Sequence, residues 1–436
     1  MICSTQPDQS YALYVPSYYS HSKRWPIVYA FDPLARGAAP VALMKEAAER
    51  YGYIVAGSNN ARNGTLEPLT EAAQAVFRDT HARLAIDNRR IYFAGFSGTA
   101  RFAASLEQAC KCAAGVLLVG AGFATSSPPA PSAAFPVFLA VGTLDFNYGE
   151  VVDLDAKLGS LHYDHALCRF DGPHEWAPAS VMEGAFAWFR LMAMKEGREE
   201  RDMEFVKEQA VEAEQRAEVL ALSGDAYGSW EEYRQDADTF DGLLDVASSF
   251  RERAAALEKK KAVRDGAKLE GEEIEEQSRL TAEIASGMED LRQSLGNPGH
   301  LRDEIAGRIS DLRSRAAREK NPRKLLVDRR ALAGVFMLAI ETGHAFLQAR
   351  RFSESRMYFD FAASAEPGSA AALQELAIAR ALDGDRKGAI EALLAAAKKS
   401  KDPAAFSTWL AKEPAFAKLR DDPQFRALLA PAKNTR

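Results

Sequence analysis

At 436 residues, 47% apolar and 27% charged, the chain is long enough for two or three domains with sizeable cores. A net charge of −6 leaves no basic excess to displace counterions from phosphates, so a nucleic-acid partner is not expected. No unbroken run of about 18 apolar residues occurs, so no membrane span is expected.

The opening MICSTQPDQ lacks the basic start and apolar centre of a secretory signal. Cys3, Cys110, Cys112 and Cys168 do not read as a disulfide framework, and the C-x-C pair is expected to pack in the protein without binding metal. The sequence as given is expected to be cytoplasmic.

In chain order, residues 11–16 and 26–31 are strand-like runs rich in Val, Ile and Tyr, and 41–50 has helical spacing. A short strand over 53–57 leads into the polar loop SNNARNG. A helix is predicted over 71–84, a strand over 91–94 and a helix over 98–108. Strands at 116–119, 137–141 and 165–170 follow, and a helix over 179–194 closes the set. Strand, helix, strand at this spacing predicts an α/β fold, a doubly wound and mostly parallel sheet with its ligand site off the strand carboxyl ends.

The chemistry gathers at those ends. IYFAGFSGTAR, 91–101, is an apolar run, a Gly-Phe-Ser-Gly turn and the start of a helix. Ser97 at such a turn has its hydroxyl pushed outward, with free helix N–H groups behind it. The next-but-one strand ends in Gly142-Thr143-Leu144-Asp145, and the last strand in Asp171-Gly172-Pro173-His174-Glu175-Trp176. Nucleophile, acid and base thus follow in that order. Serine attacks only when a histidine takes its proton, and the histidine needs a carboxylate to fix its tautomer. His21, His81, His162, His165, His300 and His344 lack such a setting and read as surface or core residues. Asp171, three residues before His174, reads as a turn former.

Through FAGFSG, GTLD and GPHEW, residues 10–192 resemble the α/β-hydrolase superfamily, of the esterase or dienelactone-hydrolase type. Thr99 stands where the G-x-S-x-G pattern ends in glycine. The resemblance implies a Ser97–His174–Asp145 triad, with no metal or organic cofactor. It also implies an oxyanion held by the Gly98 N–H and by a donor in PIVYAFDPLARG, where Asp32-Pro33 replaces a common His-Gly and Leu34 is the expected residue. One strand precedes the 26–31 strand where fuller members have two, so a clipped N-terminus, and with it a periplasmic or secreted location, is the other expectation. The connection 120–135 is too short for a helical lid, which implies an open site for a small-molecule or polymer-borne ester. Phe146, Tyr148 and Trp176 are expected to form aromatic walls, and Asn59, Asn60 and Arg62 polar contacts.

The catalytic domain is expected to span 1–195. Residues 196–330 lose strand signals and read as a charged helical connector, with 259–276 a solvated face or link and breaks at Ser223-Gly224-Asp225 and Gly296-Asn297-Pro298-Gly299. In 331–436, Gly343, Phe346, Phe352, Phe359, Ala362 and Pro367, then Leu373, Leu376, Gly384-Asp385, Ala389 and Ala396, resemble two tetratricopeptide units. That resemblance implies a protein or peptide partner, or oligomerisation. The reading as a whole is a serine hydrolase of carboxylic esters. An inactive hydrolase-fold scaffold beside a peptide-binding solenoid, or a serine peptidase, is the alternative.

Overall fold

The apolar runs that read as strands all pair. In the computed structural model, which describes residues 1–125, 128, 130, 134–294 and 299–429, seven strands form one sheet. They are β1 (Tyr11–Tyr14), β2 (Trp25–Phe31), β3 (Ile54–Ser58), β4 (Ile86–Phe96), β5 (Gly115–Val119), β6 (Val137–Gly142) and β7 (His165–Phe170), in the order β1-β3-β2-β4-β5-β6-β7. β1 is antiparallel to β3, and the other pairings are parallel.

Parallel strands carry apolar side chains on both faces and need cover on both. Alternate residues of β2 show the division. Val28 and Ala30 enter a core with α1 (Ala38–Tyr51) and α5 (Ala179–Lys195). Tyr29 and Phe31 meet Phe77 of α2 (Leu66–Arg83) and Phe102 of α3 (Gly98–Cys110), ring centroids 5.6 and 5.1 Å apart. The chain steps from β2 to β3 on one side and returns to β4 on the other, so the loops after β2 and β4 part at this switch point.

Residues 1–272 form one compact unit and 273–436 a second. The composition change at 195 marks the loss of strands, while the core runs on. Phe205, Val206, Ala213 and Ala217 of α6 (Met203–Leu222) join the core that holds α1 and α5, as do Tyr233 and Phe240 of α7 (Ala226–Phe240) and Phe250 of α8 (Val246–Glu258). β7 would otherwise present an open edge. Its Leu167 N–H donates instead to the Gln235 side chain on α7, 2.6 Å away.

The charged stretch 259–276 lies in α9 (Lys261–Gln293), and Glu270 on it is buried rather than solvated. Its carboxylate accepts from Tyr148 and Tyr227 at 2.6 and 2.9 Å and pairs with Arg169.

In the second unit, Leu280, Ile284, Met288 and Leu291, at helical spacing along α9, meet Ile305, Ile309 and Leu312 of α10 (Gly299–Arg318). Helices α11 (Pro322–Gln348) and α12 (Phe352–Ala365) form one hairpin, and α13 (Ala370–Leu382) and α14 (Arg386–Lys399) a second. Gly343 lets the hairpin close, because a Cβ there would lie 2.6 Å from the Phe359 ring. Phe406, Leu410, Phe416 and Phe425 of the tail pack on the second hairpin. Helix α11 is long and apolar enough to cross a membrane although Asp328, Arg329, Arg330 and Glu341 interrupt its apolar run; Val327, Ala331, Val335 and Ala339 along it are buried in this unit's core.

Cys110 and Cys112 are joined by a disulfide, against expectation. Lys111 between them takes φ 52°, turning the chain at the end of α3 and bringing the two Cα atoms to 5.1 Å. The 120–135 connection and the GNPG break fall partly at 126, 127, 129, 131–133 and 295–298, outside the described residues, and the open-site expectation falls there with them.

Candidate active site

The turn after β4 is built on two close approaches. A Cβ on Gly95 would lie 2.1 Å from the Thr99 carbonyl oxygen, so only glycine lets strand and helix meet there. Ser97 holds φ 56° and ψ −128°, a conformation costly for a side-chain-bearing residue and kept by the Ser97 N–H bond to the Val119 carbonyl, 2.9 Å. Thr99 fits the glycine position for a reason the motif does not carry. It is fully buried, and its hydroxyl lies 2.6 Å from the Phe31 carbonyl and 2.8 Å from that of Phe96, tying the turn to β2.

Two further loops lock together beside this turn. The Leu144 N–H donates to the Gly172 carbonyl at 2.9 Å and the Thr143 N–H to that of Phe170 at 2.8 Å. A Cβ on Gly142 would sit 2.4 Å from the Gly172 oxygen, so the loops after β6 and β7 are in backbone contact. Asp145 and His174 are thereby brought together. The His174 Nδ1 lies 2.8 Å from Asp145 Oδ2 and 2.9 Å from Oδ1, and Nε2 lies 2.9 Å from the Ser97 hydroxyl. Asp145 is wholly buried, and its Oδ1 also accepts the Asn147 N–H at 2.8 Å. The Asn147 side chain donates to the Gly120 carbonyl at 2.8 Å. Phe96 and Phe146 flank the imidazole, ring centroids 4.6 and 4.3 Å away. Ring and carboxylate are held before any ligand arrives. Such an arrangement can draw a proton from the Ser97 hydroxyl and return it to a leaving group.

The other expected residues divide. Gly98 opens α3, where its N–H has no intrahelical acceptor. Leu34 does not offer its N–H, which donates to Asp32 Oδ1 at 2.9 Å. Asn59 and Asn60 also face elsewhere. Asn59 donates through its backbone and side chain to Ser10, and Asn60 accepts from the Ser10 N–H and donates to the Asp8 carbonyl. Both hold the N-terminal segment against β3.

The hydroxyl of Tyr148, on α4 (Tyr148–Ser160), binds Glu270 and Arg169, so this ring is no wall of the site. Trp176 is buried, and its indole N–H donates to Asp32 Oδ2 at 2.9 Å, joining the histidine loop to the loop after β2. Phe146, its ring tilted against that of His174, and exposed Arg62, whose backbone bridges to Leu34, remain beside the site.

Asp32 became legible only in three dimensions. It is fully buried and accepts from the backbone of Leu34 and Arg36, the Arg36 guanidinium and Trp176. Burial pushes its carboxyl up, but the hydrogen bonds from Arg36, Trp176 and Leu34 outweigh it and hold the group below the usual carboxylate range. Gly120 and Asn147 also went unassigned. A short polar residue two positions after an acid at a strand end was the one available sign for Asn147.

The sheet is mostly parallel, and its serine turn follows the central strand, between β4 and α3. No protein-family model and no curated relative matches the sequence. Among solved structures, the chain is similar to an S-formylglutathione hydrolase from Staphylococcus aureus, at 12% identity over 42% of this chain and 89% of that one, TM-score 0.35. It is also similar to a ferulic acid esterase (12% identity, 42% and 92% covered, TM-score 0.37) and to the Bacillus cereus carboxylesterase (17%, 42% and 94%, TM-score 0.34).

Proposed function

We propose that the chain is a serine hydrolase cleaving carboxylic esters, with Ser97 as nucleophile, His174 as general base and then acid, and Asp145 orienting the imidazole. The observation that carries this reading is the unbroken contact from Ser97 through His174 to Asp145, at 2.9 and 2.8 Å. Serine attacks the ester carbonyl as its proton passes to Nε2. The tetrahedral adduct expels the alcohol, which takes that proton, and water repeats the sequence on the acyl-enzyme.

A fluorophosphonate probe and a short-chain acyl ester test the reading together. Wild-type protein should be labelled and hydrolyse the ester, while Ser97→Ala should do neither and melt as the wild type does. Undiminished hydrolysis by Ser97→Ala would overturn the assignment.

The C-terminal hairpins are proposed to resemble tetratricopeptide units and to serve a protein contact or self-association. Their short connections and the glycine, Gly343, that lets α11 close on the Phe359 ring support this. Light scattering of the full chain across concentration tests the self-association arm.

A further inference from the structure

The loop after β2, where the fold usually offers its second oxyanion donor, has no free backbone donor over residues 33–36. Pro33 has no N–H. Leu34 and Arg36 donate to Asp32 Oδ1 at 2.9 and 3.2 Å, and Ala35 donates to the Asp32 carbonyl at 2.9 Å. Releasing one of these would strip a fully buried carboxylate of a partner that no water replaces. A lone Gly98 N–H would then face the developing negative charge.

The neighbouring loop fills this gap. A Cβ built on Gly98 would lie 2.3 Å from Asn63 Oδ1 and 2.8 Å from Asn63 Nδ2, so the amide rests directly on Gly98. The Asn63 N–H donates to the Pro33 carbonyl at 2.9 Å, and Leu34 pairs with Arg62, which fixes the loop against the one that failed to supply a donor. Ser58 Oγ accepts the N–H groups of Asn60 and Ala61 at 3.2 and 3.1 Å and secures the loop's start. The side-chain amide of Asn63 makes no hydrogen bond with another described residue and is exposed, ready to meet a substrate.

We propose that Asn63 is a catalytic residue of this site, its side-chain NH₂ supplying the second oxyanion donor beside the Gly98 N–H. The inference rests on the serine-hydrolase reading above. As the Ser97 Oγ–carbon bond forms, the carbonyl π pair moves onto oxygen and the serine proton moves to His174 Nε2. The resulting oxyanion accepts from Gly98 and Asn63. When the adduct collapses, that pair re-forms the carbonyl, the ester C–O bond breaks and the alcohol leaves with the His174 proton. A half-turn of the amide about its last bond exchanges Oδ1 and Nδ2, so the donor end can face the oxygen. A side-chain donor of this kind is tuned by one residue, whereas a backbone donor is not.

The test reads the rate of Ser97 phosphonylation by a fluorophosphonate, because the phosphonyl oxygen occupies the same hole and no natural substrate need be known. Asn63→Ala should slow labelling by about 10²-fold or more, and lower kcat for a short acyl ester similarly with little change in KM. Affinity for an alkyl boronic acid should fall in step with kcat/KM. Asn63→Asp, equal in size but unable to donate when ionised, should behave as Asn63→Ala. Equal melting temperatures in all three proteins separate a lost donor from a damaged fold. Labelling of Asn63→Ala at the wild-type rate, with Ser97→Ala unlabelled, would overturn this inference alone. Absence of wild-type labelling would overturn the serine-hydrolase reading and this inference with it.

Discussion

Gly120, at the end of β5, lies against the contact between acid and base, and Gly120→Ala probes it. The added methyl carbon would lie 2.8 Å from Asp145 Oδ2 and 3.1 Å from both His174 Nδ1 and the Phe96 ring. The backbone there has φ 64°, a left-handed conformation that costs a residue with a Cβ about 1–2 kcal/mol. Crowding a packed site adds roughly 1–3 kcal/mol, so the variant should lose about 2–5 kcal/mol of folded stability. Asp145 cannot retreat freely, since Asn147 holds its other oxygen. The imidazole therefore shifts, and a displacement approaching 1 Å costs on the order of 10²-fold in rate.

Urea unfolding and initial rates on a short acyl ester read both effects. Gly184→Ala, on α5 with nothing within 4 Å of the new carbon, is the control and should unfold at the same midpoint or slightly higher. Wild-type kcat and midpoint in Gly120→Ala would refute the packing argument.

Two further outcomes follow from the same packing. Thr99→Val keeps the shape of the side chain but removes the hydroxyl shared with the Phe31 and Phe96 carbonyls; calorimetry should show a loss of about 1–2 kcal/mol, and Thr99→Gly should be no better despite restoring the motif residue. Burial and the neighbouring Glu270 push the Glu231 carboxyl up to about 7 against the pull of Arg169. The folded state then keeps a proton that the unfolded chain releases above about pH 4.5, so stability should fall as pH rises from about 4.5 to 7 and level off beyond, by on the order of 3 kcal/mol. Burial likewise raises Asp236 to about 7, so urea midpoints at pH 5 and pH 8 should differ less in Glu231→Gln without becoming equal; an unchanged difference would exclude Glu231 as a source.

Much of the first unit was legible because parallel strands, buried on both faces, leave continuous apolar runs in the sequence. The strands VFLAV and HALCRF each lead to a residue at a carboxyl end, and those two residues, Asp145 and His174, touch in the structure. The helix Tyr148–Ser160 was passed over. It starts three residues after Asp145 and its apolar stripe is interrupted by Gly149 and several acids. The helices at 203–258 read as a connector because charge per residue conceals a narrow buried stripe. Phe205, Phe240 and Phe250 are too widely spaced to announce a shared core, yet each is buried in the one that contains α5.

Residue type and order along the chain determined which groups could do chemistry here and in what sequence they arrive: a serine at a glycine-flanked turn, then an acid, then a histidine, each just past an apolar run. Those are local properties, fixed by periodicity and turn chemistry. Tertiary structure decided which polar groups were already spent. Asp32 consumes the Leu34 N–H, Glu270 the Tyr148 hydroxyl, Ser10 the side-chain NH₂ of Asn59 and the Asp8 carbonyl that of Asn60, while Asn63 is left facing Gly98. A hydrogen-bond donor serves a ligand only if no nearer acceptor has claimed it, and nearness between residues tens of positions apart exists only in the folded chain.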